Sequence, residues 1–203
     1  MKFLYRTAAK DPRRLALLPG AWNPPTTAHV AMARAALQWA DEVVFVIPQA
    51  LPHKEFEGVS FADRARMIAQ AAAREPRVSA AITESGYYFE MAAEAHASVI
   101  GPHEIGLICG RDAAERIAGW DYGRSGVFEE MLARHPLLVA SRSGLWQQAE
   151  GYGDRVVTLK MEPGFDLISS TEVRRRVAAA EDWMPLVPES IHNEVARLYG
   201  GRG

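Results

Sequence analysis

Between Leu15 and His29 the chain reads Leu-Ala-Leu-Leu-Pro-Gly-Ala-Trp-Asn-Pro-Pro-Thr-Thr-Ala-His, residue types that suit the binding of a phosphate. An apolar run stops at Gly20, a rigid Pro24-Pro25 turn follows, and an alanine-rich segment with helical spacing begins at Thr26 or Thr27. A glycine at a strand's end admits positive φ and lets a ligand come close, because no Cβ intervenes. The free N–H groups of the new helix face the same spot with the positive end of the helix dipole behind them. His29, in that first turn, can add a donor, and the whole makes a phosphate-binding corner. Two more groups belong near it. Lys54 and His53 lie in a proline-bounded loop, Pro48 to Lys54, that follows the next strand at its carboxyl end, where open parallel sheets line their ligand crevice. Gly110 closes a later strand in the same manner and is followed by Arg111 and Asp112.

The elements that would position these residues alternate. After a strand from Leu15, Val30, Met32, Ala33, Ala36 and Leu37 give a helix over residues 27–40 one apolar face. Glu42 to Ile47 is a continuous β-branched and aromatic run, as in a strand covered on both faces. Ser60-Phe61-Ala62-Asp63 resembles a capping box and starts a helix to about Arg74. The spacing predicts further strands at Val78–Thr83, Ile105–Cys109, Leu137–Ala140 and Val156–Leu159, with helices at Tyr88–Ser98, Ala113–Ala118, Val127–Ala133, Ser170–Ala180 and Glu189–Tyr199. Such alternation argues for an α/β fold with a doubly wound, mostly parallel sheet. Residues 1–14 are polar and unpatterned, and read as an irregular lead-in.

The bulk properties set bounds. A chain of 203 residues suits a single domain, and no apolar run reaches the roughly 20 residues of a membrane span. The first residues do not make a signal peptide, and the lone Cys109 excludes an internal disulfide, which together point to the cytoplasm. A net charge of −2 argues against a polynucleotide partner, while a small nucleotide needs only local positive charge. His96, His103 and His135 lack metal-ligand spacing, so no metal site is assigned to the protein. No Gly-x-Gly-x-x-Gly follows a strand.

Two distant segments carry a resemblance. Gly20-x-Trp22-Asn23-Pro24-Pro25-Thr26-x-x-His29 resembles the first signature of the nucleotidyltransferase superfamily, and Ile168-Ser169-Ser170-Thr171-Glu172-Val173-Arg174 its Ile-Ser-Ser-Thr-x-Ile-Arg segment. The second makes physical sense as another helix N-terminus, capped by Ser169 or Ser170, with Arg174 adding a fork of donors one turn on. Pro52-His53-Lys54, Arg64 to Met67, Cys109 to Asp112, Trp120 and the closing Leu186-Val187-Pro188 to Leu198-Tyr199 extend the likeness to the nicotinate/nicotinamide mononucleotide adenylyltransferases. Thr26 stands where the bacterial form has a first histidine, and Ala28 replaces a glycine.

The resemblance implies a single nucleotidyltransferase domain over residues 1–203, with 168–200 as a helical part carrying the second motif. It implies transfer of AMP from ATP, with Mg²⁺ carried by the triphosphate, to a pyridine mononucleotide, releasing pyrophosphate and forming a dinucleotide in NAD biosynthesis. Carried over, His29, Thr26, Lys54 and Arg174 are the catalytic set. Gly20, Ala21, His29, Gly110, Asp112, Ile168, Ser169, Ser170, Thr171 and Arg174 bind ATP. Trp22, Asn23, Lys54, Tyr87, Trp120 and Tyr122 meet the mononucleotide. Residues 86–91 keep an aromatic at Tyr87 without the flanking hydroxyls of the bacterial nicotinate-using enzymes, which leaves nicotinate and nicotinamide mononucleotides both open. A relative using CTP or another phosphorylated acceptor, a nucleotide-binding module without turnover, and a homo-oligomer also stay open. Of the other candidates, Arg175 and Arg176 read as a solvated helix face, Cys109 as an inert strand residue, Asp112 also as a helix cap, and Trp120 equally as core or stacking platform.

Overall fold

The structure is a computed structural model that describes residues 1–7, 12–50, 58–99, 104–140, 146 and 151–201, and the backbone alone of 147–150. Seven strands form one sheet: β1 (Lys2–Tyr5), β2 (Arg14–Pro19), β3 (Glu42–Pro48), β4 (Val78–Thr83), β5 (Glu104–Gly110), β6 (Leu137–Ala140) and β7 (Val156–Leu159), in the order β1-β4-β3-β2-β5-β6-β7. Strands β2 to β7 pair in parallel. Among the described residues seven α-helices accompany them: α1 (Thr27–Ala36), α2 (Phe61–Ala72), α3 (Tyr88–Ser98), α4 (Arg111–Ala118), α5 (Val127–Arg134), α6 (Ser170–Ala178) and α7 (His192–Tyr199). The fold is the doubly wound Rossmann-like one that the alternation predicts.

Both faces of the sheet are covered because neighbouring strand residues point to opposite sides. Ala16 and Leu18 join Phe45, Ile47 and Ile108 beneath α1 and α2, while Leu15 and Leu17 join Val44, Val46 and Leu107 beneath α3 and α5. All of these are at most 2% exposed. A third cluster sits apart from the sheet: Met67 of α2 packs with Val173 of α6 and with Leu186, Val187, Ile191 and Val195, so the segment carrying the second motif is docked on α2. Among the described residues no helix is long and apolar enough to cross a membrane.

The strand order decides where a ligand can go. From β2 the chain winds outward through β3 and β4, then returns to β5 on the other flank of β2. The change of direction falls between β2 and β5, and the crevice of an open parallel sheet opens at the carboxyl ends of such a pair. Leu17 pairs with Leu107. Three residues beyond that pair each strand reaches a glycine, Gly20 and Gly110, so the two expected strand-end turns flank the switch point.

Residues 1–14 differ from the expected irregular lead-in. Lys2–Tyr5 is an antiparallel edge strand on β4, and Arg14 already belongs to β2. The physical reason lies in a polar contact that spans distant residues. Glu42 is fully buried; it accepts a 2.5 Å hydrogen bond from the Ser79 hydroxyl, and its other oxygen lies 3.6 Å from Arg6. The Thr7 N–H in turn donates to the Ser79 oxygen. Burial pushes the Glu42 carboxyl above its ordinary pKa, against the opposing pull of Ser79 and Arg6. A raised pKa means that the folded protein holds this proton more tightly than the unfolded chain. Stability therefore falls as pH rises from the ordinary glutamate value through the raised one, and stays lower above it. Glu42→Gln should melt at or above the wild-type temperature near pH 8, the gap closing toward about pH 5 in a series of thermal melts. A wild type more stable at pH 8 would show the charged form to be a net stabiliser.

Candidate active site

The corner is built as the sequence suggests, with one change of reason. Gly20 does not carry a left-handed φ; the residue that does is Trp22, at φ 55°. What favours glycine at position 20 is close approach, because a Cβ there would press on the Trp22 ring at 3.0 Å. The indole is 1% exposed, donates from Nε1 to the Val46 carbonyl at 2.7 Å, and packs against Phe45 and His29 with ring centroids 4.8 and 4.9 Å apart. Those contacts hold a backbone conformation that a bulky residue otherwise avoids. Trp22 can thus offer a mononucleotide its backbone but not its ring. The following Asn23–Pro24 bond is cis.

His29 is fixed by the start of its own helix. Thr26 caps α1, and its N–H donates to the Nδ1 of His29 at 3.0 Å, with the Thr26 hydroxyl 2.7 Å from the same nitrogen. This is a capping box in which an imidazole takes the place of the usual carboxylate or amide. An Nδ1 that accepts leaves the ring proton of the neutral imidazole on Nε2, which makes the far edge of the ring a donor. Thr26, expected to meet a phosphate itself, is instead fully buried. Its hydroxyl serves His29, because the capping turn folds both groups inward.

The second motif comes to the first. Ser169 is the N-cap of α6, its Oγ accepting from the Glu172 N–H, whereas Ser170 donates to the Pro24 carbonyl at 2.7 Å. Arg174 reaches the Asn23 carbonyl at 2.6 Å and Thr171 at 3.3 Å. Ile168 packs at the edge of the third cluster. The N-termini of α1 and α6 are thereby tied to one loop, and both bring free amides and positive dipole ends to it. Arg175 and Arg176 turn outward onto Glu172 and Glu181, as a solvated face should.

At the other lip of the crevice, Gly110 is the N-cap of α4. Asp112 is not the cap; it stands one residue inside the helix with its carboxylate 85% exposed. Trp120 and Tyr87, at 55% and 58% exposure, are not core residues. The Tyr122 hydroxyl donates to the Ile117 carbonyl, and burial raises its pKa. Cys109 has its thiol pushed up to about 12 by burial, in keeping with an inert role. Lys54, with Pro52 and His53, lies outside the described residues. Among the described residues no group of three or more His, Cys, Asp or Glu side chains could hold a metal.

Two residues that entered the sequence reading only as part of the resemblance, with no role assigned, hold the corner from behind. Arg64, 5% exposed, donates to the Ala21 carbonyl at 2.7 Å, and Tyr199 donates to the Asn23 side chain at 2.6 Å. An arginine at an otherwise apolar position of α2 was the signal available for the first. A groove of about 770 Å³ beside α1, lined by Thr27, Val30 and Arg34, shares Ile168 with the expected ligands and none of the others.

A doubly wound sheet with two helix N-termini gathered at its switch point defines a nucleotide-binding α/β protein. Residues 17–176 match the cytidylyltransferase-like family, and the chain belongs to it. Its relatives include proteins named "Probable nicotinate-nucleotide adenylyltransferase". The one from Anaeromyxobacter sp. is 31% identical over 93% of this chain and 98% of the relative, and that from Carboxydothermus hydrogenoformans is 26% identical over 90% and 94%. The fold is that of the Plasmodium falciparum nicotinic acid mononucleotide adenylyltransferase complexed with NaAD, at a TM-score of 0.66 and 17% identity over 93% of this chain and 97% of that one.

The capping geometry sets a measurable tautomer. Nitrogen-15 NMR of His29 near pH 8 should show a protonated Nε2 and an unprotonated Nδ1, and a dominant Nδ1–H form would remove Thr26 as the group that orients it.

Proposed function

We propose that this chain, working as one nucleotidyltransferase domain, transfers the adenylyl group of ATP to a pyridine mononucleotide, nicotinate mononucleotide first. The observation that carries the reading is the joining of the two motifs: Ser170 and Arg174 bond the carbonyls of Pro24 and Asn23, so both anion-binding helix starts serve one crevice. Similarity to nicotinate-nucleotide adenylyltransferases along nearly the full chain supports the choice of substrates.

The chemistry follows from charge. An oxygen of the mononucleotide's phosphate attacks the α-phosphorus of ATP in line. The new O–P bond forms as the bond to the β-phosphate oxygen breaks, and pyrophosphate leaves with that electron pair. The attacking phosphate monoester is already largely dianionic at neutral pH, with a second pKa near 6, so no general base is needed. What the site must supply is alignment and cancellation of negative charge. The Nε2–H of His29 donates to the triphosphate as charge builds on the leaving group. The α6 amides at Ser169 to Thr171 and the Arg174 fork hold its oxygens, with Lys54 meeting a phosphate of either substrate. Gly20, its N–H held by the Val46 carbonyl, and Ala21 line the turn beside the triphosphate, Gly110 and Asp112 take the ribose, and Asn23, Tyr87 and Trp120 face the mononucleotide. Mg²⁺ carried by the incoming triphosphate would neutralise phosphate charge.

Pyrophosphate release, measured with ATP or CTP against nicotinate and nicotinamide mononucleotides, tests the reading. Turnover should require ATP and a pyridine mononucleotide; turnover with CTP alone, or nucleotide binding without turnover for any acceptor, would overturn it. His29→Ala should lower kcat by about 10²- to 10³-fold, with the KM for ATP changed much less. An unchanged kcat would remove His29 from the chemistry.

A further inference from the structure

The turn between β4 and α3 lies apart from the corner at Gly20, yet its backbone is bonded as closely. The carboxylate of Glu94, inside α3, accepts from the N–H of Glu84 at 3.1 Å and from that of Ser85 at 3.2 Å, both on Oε1. Within the turn the buried Thr83 hydroxyl donates to the Ser85 carbonyl at 2.9 Å, and the Tyr87 N–H donates to the Ser85 hydroxyl at 3.0 Å. Thr83 ends β4, whereas the Tyr88 hydroxyl already reaches the carbonyls of His135 and Pro136 beside β6. Residues 84–87 therefore carry the chain from the β4 flank of the switch point toward the β5–β6 flank. Tyr87, the N-cap of α3, is 58% exposed, and its ring has no aromatic or hydrogen-bonded partner among the described residues.

A ring on an exposed loop ordinarily moves with its loop. This one stands on a backbone whose N–H groups are taken up by an ionised acceptor, the stronger class of hydrogen bond, so its face is held in water as a surface for a planar ring to stack on. We infer that Glu94 is a positioning residue that, through the turn at Glu84 and Ser85, sets where the Tyr87 ring stands and hence the affinity for the mononucleotide. Glu94 lies about two helical turns beyond Tyr87, on the same face of α3, so the helix that starts at the tyrosine reaches back to brace the turn before it. What the brace needs is one oxygen between two neighbouring N–H groups. Glu94→Gln keeps that oxygen, and Glu94→Ala removes it. The other carboxylate oxygen lies 3.1 Å from the Met1 amino group, so an effect passed through β1 has to be told apart from one passed through Tyr87.

The brace itself is read without substrate; its consequence for the mononucleotide rests on the adenylyltransferase reading. In amide hydrogen exchange of the ligand-free protein, Glu94→Ala should speed exchange at Glu84 and Ser85 by about tenfold or more, with Glu94→Gln close to wild type. In turnover, Glu94→Ala should raise the KM for the mononucleotide roughly tenfold and leave kcat and the KM for ATP within about twofold, and Glu94→Gln should recover most of the loss. In a Tyr87→Ala background, Glu94→Ala should change that KM by less than about twofold, because the ring it positions is gone. Three results overturn the inference: unchanged exchange in Glu94→Ala, a Glu94→Gln protein as impaired as Glu94→Ala, or a KM penalty that persists in full beside Tyr87→Ala, which would assign the effect to Met1 and β1. If the wild type turns over no pyridine mononucleotide, the functional reading fails, and the exchange comparison still decides whether Glu94 braces the turn.

Discussion

A turn that leaves the middle of a sheet and runs along its buried end has to find donors for carbonyls that no strand or helix will satisfy. An unpaired buried carbonyl costs about 1–3 kcal/mol, so a loop with several of them is only as stable as the side chains that reach it. Residues 20–27 are such a loop, made more demanding by two prolines that bring carbonyls without N–H groups. Arg64 from α2 serves Ala21, Arg174 from α6 serves Asn23, and Ser170 serves Pro24. Thr27 donates to the Leu186 carbonyl in return. The shape of the first motif therefore depends in part on the second, whose Ser170 and Arg174 satisfy two of its carbonyls. The apolar cluster of Met67, Val173, Ile191 and Val195 docks the second motif.

The same contacts explain how a chain of net charge −2 can offer a site to a polyanion. Arg64 and Arg174 are turned inward on loop carbonyls, while Arg175 and Arg176 are neutralised by Glu172 and Glu181 on the outer face of α6. Carbonyl partners leave an arginine its full charge, whereas carboxylate partners cancel it. Local positive field is thus concentrated where two helix dipoles already converge, and the surface around it contributes little.

Histidine chemistry at the corner depends on a structural device of the most ordinary kind. The capping box that starts α1 is a way to satisfy an orphan N–H. With an imidazole in the third position it also selects a tautomer, and helix initiation and donor placement become the same event. The far end of the sheet carries a contrasting polar group. There Glu42, Ser79 and Arg6 tie the edge strand β1 to the sheet, an arrangement concerned with assembly and remote from the crevice.

Much of this was legible in the residues alone, wherever the information is local. Strand and helix positions follow from hydrophobic periodicity, and β4, β6, β7 and α3 have the predicted bounds. Both motifs, and the glycines ending β2 and β5, are readable because turns and caps depend on neighbours a few residues away. Four matters were decided only by the tertiary structure. These are the placing of β5 beside β2, the antiparallel β1, the role of Gly20 in making room for the Trp22 ring, and the burial of Thr26 behind His29. Each depends on groups brought together from distant parts of the chain, or on which way a side chain turns once the core has closed. The sequence by itself determined which residues could bind phosphate. Packing across long loops determined which of them face the ligand, and which serve by holding the others in place.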